Sequence, residues 1–185
     1  CMAQNIPAGA ALSEFSPGQF EVNLHHVDDP VLACDHAVLL KRAVKAAASR
    51  NGLGATFMAK PFAETAGSGL HLHISLLDAN GDNVFAGKSR DGAFSDRLRH
   101  AVGGLAATMK ESMAIFAPNG NSYRRHAAGG FVPASPSWGT NHRSVAMRIP
   151  LAAPANTRIE HRIAGADANP YLVVAAVLAG IHHGI

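Results

Sequence analysis

Three alternating stretches of this chain place carboxylates, imidazoles or guanidinium groups on one strand face, two of them at the two-residue repeat of that face. Glu21 lies in the alternating run 19–24, His71 and His73 in the run 70–77, and Arg158, Glu160 and Arg162 in the run 158–163. Strands side by side in one sheet would bring these groups to a common surface. Carboxylate oxygens with one imidazole suit Mg²⁺ or Mn²⁺, whereas zinc would call for more Cys or His. A divalent cation ringed by arginines is equipment for phosphoryl transfer from ATP, where positioning and charge neutralisation supply most of the catalysis. Plainer readings stand beside this one. A His-Leu-His pair can be structural, and Glu160 between two arginines can be a surface ion-pair ladder. The Gly67-Ser68-Gly69 run lacks the strand-to-helix transition with Lys-Ser/Thr that a phosphate loop requires.

The arginines are unevenly spread. Arg124, Arg125, Arg143, Arg148, Arg158 and Arg162 fall in about a fifth of the chain, in a segment with few acids. That composition suits an anionic small molecule, or a solvated basic face. Nucleic acid is not the expected partner: 16 Lys+Arg stand against 13 Asp+Glu, the only basic doublets are Lys41-Arg42 and Arg124-Arg125, and aromatics make up 6%. With 48% hydrophobic and 16% charged residues, the 185-residue chain can bury a core and is not a disordered polymer. Its longest apolar run, Tyr171 to Ile181, is too short for a bilayer. Two cysteines, Cys1 and Cys34, make neither a disulfide framework nor a zinc cage, and no secretory signal is legible; a cytoplasmic setting is expected.

The elements that must position these groups read as α+β with an antiparallel-leaning sheet, in one continuous domain. Gln19 to Leu24 predicts a half-buried strand. Asp28-Asp29-Pro30 opens a helix with an apolar face of Leu32, Leu39, Ala43 and Ala47, ending at Asn51-Gly52. Gly54 to Met58 predicts a short strand. From Leu70 to Leu77, Leu70, Leu72, Ile74 and Leu76 face one way and His71, His73 and Ser75 the other, with Val84-Phe85 as a hairpin return. Ser95 caps a long helix reaching about Phe116. Residues 119–138 read as a functional loop, 144–149 and 158–163 as strands, and Asn169-Pro170 as the start of a last apolar helix. In the run 158–163, Ile159, His161 and Ile163 should face the core, with Arg158, Glu160 and Arg162 opposite.

Several motifs together resemble the glutamine synthetase family. They are Glu14 with Pro17-Gly18-Gln19-Phe20-Glu21, Lys60-Pro61, and Gly67-Ser68-Gly69-Leu70-His71-Leu72-His73-Ile74-Ser75-Leu76. Asn121-Ser122-Tyr123-Arg124-Arg125, Arg143-Ser144, Arg148-Ile149-Pro150, Arg158-Ile159-Glu160-His161-Arg162 and Ala168-Asn169-Pro170-Tyr171 follow in the family's order.

The resemblance implies a catalytic-domain fold and a set of roles. Glu14 and Glu21 would hold one Mg²⁺ or Mn²⁺ ion; His71 and Glu160 would hold a second. Gly67, Arg125 and Arg162 would bind glutamate. His73, Ser75 and Arg158 would contact ATP, and Arg143 and Arg148 the transferring phosphate. The implied reaction phosphorylates the glutamate γ-carboxylate and then lets an amine displace phosphate. A ring-forming homo-oligomer, with no membrane partner, is also implied.

Two departures narrow the expectation. Where the family's ammonia-using members carry Gly-Tyr-Glu-Ala-Pro, this chain has Gly129-Gly130-Phe131-Val132-Pro133; the Asn before the Gly-Ser-Gly run is Ala66. Phe131 can neither accept a proton nor attract ammonium. The chain therefore resembles the γ-glutamylpolyamine and γ-glutamylputrescine synthetases, whose nucleophile is an alkyl amine. An ammonia-using glutamine synthetase, a metal- and glutamate-binding pseudoenzyme, and a metal-dependent hydrolase built on His71 and His73 are the alternatives. Cys1-Met2-Ala3 resembles interior family sequence. Residues 1–185 are thus expected to be part of a catalytic domain, inactive alone, without the N-terminal β-grasp domain, the upstream catalytic strands or the C-terminal tail.

Overall fold

The computed structural model describes residues 1–87, 94–126 and 132–185. Strands β1 (Ala8–Ser13) and β2 (Phe20–Leu24) pair as an antiparallel hairpin of their own. Helix α1 (Pro30–Arg50) follows, then strand β3 (Leu72–Ile74), helix α2 (Asp96–Phe116) and the short helix α3 (Gly120–Arg124). Strands β4 (Trp138–Thr140), β5 (Met147–Ile149) and β6 (Ile159–His161) precede helix α4 (Pro170–Gly184). The second sheet has the order β3-β6-β5-β4, antiparallel except for the parallel β4–β5 pair.

The helix starts are fixed by their caps. Asp29 Oδ1 accepts from the Val31 and Leu32 amides at 2.8 and 3.1 Å, Ser95 Oγ from Leu98 N at 3.2 Å, and Asn169 Oδ1 from Tyr171 N at 3.0 Å. Gly52, at φ +70°, takes the left-handed turn that stops α1. Helices α2 and α4 pack together on one face of the four-stranded sheet. Between them Phe85, Leu98, Leu105, Phe116, Met147, Ile149, Ile159, Val173 and Val177 are buried. Each large apolar side chain so buried contributes roughly 2–3 kcal/mol of transfer free energy. The sheet's opposite face is left for polar groups.

Several expectations change. Residues 54–58 form no strand; Thr56 Oγ1 accepts from Met58 N, and the Lys41 ammonium lies 5.8 Å from the Phe57 ring centre. The run 70–77 pairs as a ladder only over Leu72–Ile74, because β6 offers only three partners; isolated bridges join Gly69 to Gly165 and Leu77 to Asn83. Val84 N still donates to Leu76 O at 2.9 Å, the expected hairpin return. In α1 the buried residues are Cys34 and Leu40, while Leu32 is exposed, because α1 leans on α4 along a different stripe. Glu21 stands in the separate hairpin rather than in the sheet of His71 and Glu160, and its neighbour Phe20 is 71% exposed. Strand β1 and helix α3 were not legible from periodicity. Among the described residues, no helix is long and apolar enough to cross a membrane.

Candidate active site

Alternation along β6 decides the site. Ile159 and His161 point into the core with Ile163, which leaves Glu160 on the polar face with Arg158 and Arg162. Glu160 is nevertheless only 3% exposed, because arginines close over it. Its Oε2 accepts from Arg148 Nη1 at 2.6 Å, and its Oε1 accepts from Arg162 Nη1. His71 Nδ1 lies 3.6 Å from Glu160 Oε1, and His73 faces Glu160 across the β3–β6 register. Burial alone would raise the Glu160 carboxyl; the Arg148 hydrogen bond and the Arg162 charge overcome it and hold the group below the usual carboxylate range. Burial and the Arg162 charge push His71 down to about 3, so its ring is neutral.

Arg158 extends the cluster, donating from Nε to His73 Nδ1 at 3.1 Å. Arg148 is steadied by Asn141, whose Oδ1 accepts from Nη2 at 3.0 Å. Ser75 is exposed beyond the end of β3, and Arg143 is exposed on the turn between β4 and β5, outside the ion-pair cluster.

Arg125, at the end of α3, is 5% exposed. Its guanidinium donates to Ile163 O at 2.6 Å and Arg162 O at 3.3 Å, placing it beside Arg162, and among the described residues no carboxylate is bonded to it. Burial and the Arg162 charge lower its pKa to about 10. Gly67 and Gly69 let the chain lie against this side chain: a Cβ on Gly67 would stand 2.5 Å from Ala59 O and 2.9 Å from Arg125 Cγ, and one on Gly69 2.5 Å from Arg125 Nη2. Among the described residues, the Nε atoms of Arg125, Arg148 and Arg162 are buried without a hydrogen-bond partner. Arg125, Arg148 and Arg162 thus stand close to a single carboxylate, Glu160, and their excess of positive charge suits an anionic ligand.

The hairpin supplies the remaining carboxylates. The Gln19 side-chain amide donates to Gly67 O at 3.0 Å, and Ser16 Oγ accepts from Ala66 N at 2.8 Å, docking the β1–β2 turn on the Gly-Ser-Gly run. Burial, followed by the charge and hydrogen bond of Glu14, raises the Glu21 pKa, with Glu160 adding to it. Two carboxylates drawn together in this way are a hard-oxygen donor set, and a divalent cation would relieve their repulsion. Glu14 and Glu21 therefore fit as part of a Mg²⁺ or Mn²⁺ site. His71 and Glu160 offer a nitrogen and an oxygen that converge, but both Glu160 oxygens are engaged by arginines. Among the described residues, no three His, Cys, Asp or Glu side chains gather closely enough to hold an ion by themselves.

Against known families, residues 1–185 match the glutamine synthetase catalytic domain over their whole length. The chain belongs to this family. It is 52% identical over 182 residues to the γ-glutamylputrescine synthetase PuuA of Escherichia coli K12, covering 98% of this chain and 38% of that protein. It is 43% identical over 176 residues to a glutamate–isopropylamine ligase of a Pseudomonas species, covering 95% of this chain and 38% of that one. The solved structure titled "Apo GmaS without ligand" superposes with a TM-score of 0.81 at 35% identity, over 98% of this chain and 42% of its own. The glutamine synthetase domain seen here thus spans about two fifths of the length of these relatives, and the mixed architecture expected from the sequence is the family's own.

Within this domain Gly67, Arg125 and Arg162 come together, as do His71, His73, Arg148, Arg158 and Glu160. Phe131, on which the choice of amine rests, lies outside the described residues. The supporting contacts of Asn141, Gln19 and the α3 cap Asn119 are not visible in residue spacing. The last has a signal in residue type instead: Pro118-Asn119-Gly120 is a cap sequence inside what otherwise reads as loop.

Proposed function

We propose that the whole protein to which this chain corresponds is an ATP- and Mg²⁺- or Mn²⁺-dependent ligase that joins the γ-carboxylate of glutamate to an alkyl amine or polyamine. The observation that carries this reading is the buried Glu160 carboxylate held between Arg148 and Arg162, with His71 Nδ1 3.6 Å away and Arg125 buried beside Arg162. The names of the two relatives, a putrescine and an isopropylamine ligase, support an alkyl amine over ammonia.

In this reading Arg125 and Arg162, with the open backbone at Gly67, hold glutamate. His73, Ser75 and Arg158 orient the nucleotide, while Arg143 and Arg148 face the phosphate in transit. Glu14 and Glu21 hold one divalent ion and His71 and Glu160 contribute to another, with further ligands from the remainder of the protein. When bound, the ions neutralise phosphate charge. The γ-carboxylate oxygen attacks the γ-phosphorus and ADP leaves, giving γ-glutamyl phosphate. The deprotonated amine then attacks the acyl carbon and phosphate departs. Arginines suit both steps, because negative charge migrates and no protein nucleophile is required. Arg125 and Arg162 keep the glutamate still through both. A ring-forming homo-oligomer and a cytoplasmic setting complete the proposal.

The test is phosphate release by the full-length protein with ATP, Mg²⁺ or Mn²⁺, glutamate and a panel of amines. Turnover should require all four components and favour putrescine or other alkyl amines over ammonium. Equal use of ammonium would make the protein a glutamine synthetase and remove the argument from Phe131. Binding of ATP and metal without turnover on any amine would make it a pseudoenzyme.

A further inference from the structure

Asp167 lies on the turn between Arg162 and α4. Its Oδ2 accepts two hydrogen bonds from α3: from the cap residue Asn119 Nδ2 at 2.8 Å and from Ser122 Oγ at 2.6 Å. Asn119 in turn caps α3, its Oδ1 accepting from Asn121 N at 2.9 Å and Ser122 N at 3.2 Å. Ser122 is fully buried, and its carbonyl accepts the Arg125 amide at 3.2 Å. One carboxylate oxygen therefore holds the first turn of a five-residue helix whose last turn delivers Arg125. A helix so short has almost no stability of its own, so its orientation must come from outside.

The other half of the arrangement lies on the same segment as Asp167. Arg125 donates to the carbonyls of Ile163 and Arg162, a few residues before Asp167. Between them Gly165 N donates to Phe116 O at 3.0 Å, and Ala166 N donates to Ser68 O at 3.0 Å, tying the turn to the end of α2 and to the Gly67–Gly69 run. Gly165 has no side chain where one would collide: a Cβ there would stand 2.5 Å from Asp167 Oδ1. The segment 162–167 thus grips α3 at both ends, by Asp167 at its start and by backbone carbonyls at Arg125. From this geometry we propose that Asp167 is a positioning residue: through Asn119 and Ser122 it sets α3 so that the Arg125 guanidinium meets the glutamate carboxylate.

The proposal rests on the reading of the whole protein as a glutamate–amine ligase. It makes a selective prediction, since Asp167 reaches Arg125 but not the nucleotide side at His73 and Arg158. The experiment is steady-state kinetics on full-length protein carrying Asp167→Ala, Asp167→Asn or Ser122→Ala, with glutamate and ATP varied separately. Asp167→Ala should raise the glutamate KM tenfold or more while the ATP KM stays within twofold. Ser122→Ala, which removes one of the two bonds and nothing else, should raise the glutamate KM several-fold. Asp167→Asn retains an accepting oxygen and should recover most of the loss. A glutamate KM within twofold of wild type in Ser122→Ala and in whichever Asp167 variants fold would overturn the proposal. So would parallel rises in both KM values, which mark general loosening. Absence of glutamate-dependent turnover in the wild type would instead defeat the functional reading itself, and this proposal with it.

Discussion

Arg148 on β5 and Glu160 on β6 are register partners, and the Arg148 guanidinium donates to the Glu160 carboxylate at 2.6 Å across the strands. Because Arg162 takes the other oxygen, one buried carboxylate balances two arginines. Removing a partner from a buried ion pair costs more than the pair contributes, since the remaining charges stay desolvated. Glu160→Gln in the full-length protein should therefore lower stability by roughly 3 kcal/mol. Urea unfolding measures this directly. A change below about 0.5 kcal/mol, the usual range for surface substitutions, would mean the arginines are held open by something else.

The hydrogen bond from Arg158 Nε to His73 Nδ1, at 3.1 Å, fixes the imidazole with its proton on Nε2. That leaves one N–H aimed outward from an exposed ring. His73→Ala removes this donor and releases Arg158, so the ATP KM should rise about tenfold, the worth of one charge-assisted hydrogen bond. The glutamate KM should stay put, because the Arg125 side of the site is built on different segments. Equal rises in both constants would count against a nucleotide role.

How much of this was legible beforehand depends on the range of the force involved. Alternation in 158–163 put Glu160 opposite Ile159 and His161, as found, because burial on one sheet face imposes a period of two. Caps at Asp29, Ser95 and Asn169 were equally readable, being contacts within three residues. Gly54 to Met58 misled: its apolar residues suit a strand, but among the described residues no neighbouring backbone pairs with them. Strand β1 escaped notice because Ala8–Ser13 is nearly all exposed and carries no burial pattern. The Asp167–Ser122 bond spans 45 residues and depends on a turn and a short helix meeting, which no local pattern encodes. Nor could sequence spacing show that Glu21 belongs to a separate hairpin held to the sheet's polar side through Gln19.

Gly67 is a place where a single methyl group tests the substrate face. A Cβ there would lie 2.5 Å from the Ala59 carbonyl and 2.9 Å from Arg125 Cγ, and the carbonyl cannot move without disturbing Ser68 N, which donates to it at 2.8 Å. The strain should fall on Arg125. Gly67→Ala is expected to cost about 1–3 kcal/mol of stability, the range for overpacking. It should also raise the glutamate KM more than the ATP KM. Thermal unfolding and separate KM measurements check the two parts, and a stable variant with unchanged glutamate KM would remove Gly67 from the glutamate site.

His161 makes a prediction that does not involve substrates. Its ring packs against Phe116 with centroids 4.7 Å apart, and among the described residues neither ring nitrogen has a hydrogen-bond partner. Burial holds its pKa down to about 4 from the ordinary 6.5. The unfolded chain therefore binds a proton that the folded chain refuses, so stability falls as pH drops below 6.5 and is unaffected by this group above it. Between pH 6.5 and 5 the loss from His161 should come to about 1.5 kcal/mol, before most carboxylates begin to titrate. His71, held down to about 3, adds a slope of the same sign. Comparing wild type with His161→Leu isolates the one contribution, because Leu fills the space without a titrating group. Urea unfolding across this pH range should show a flatter profile for the variant. Identical slopes would mean that His161 gains a proton, and a partner for it, while the fold stays intact.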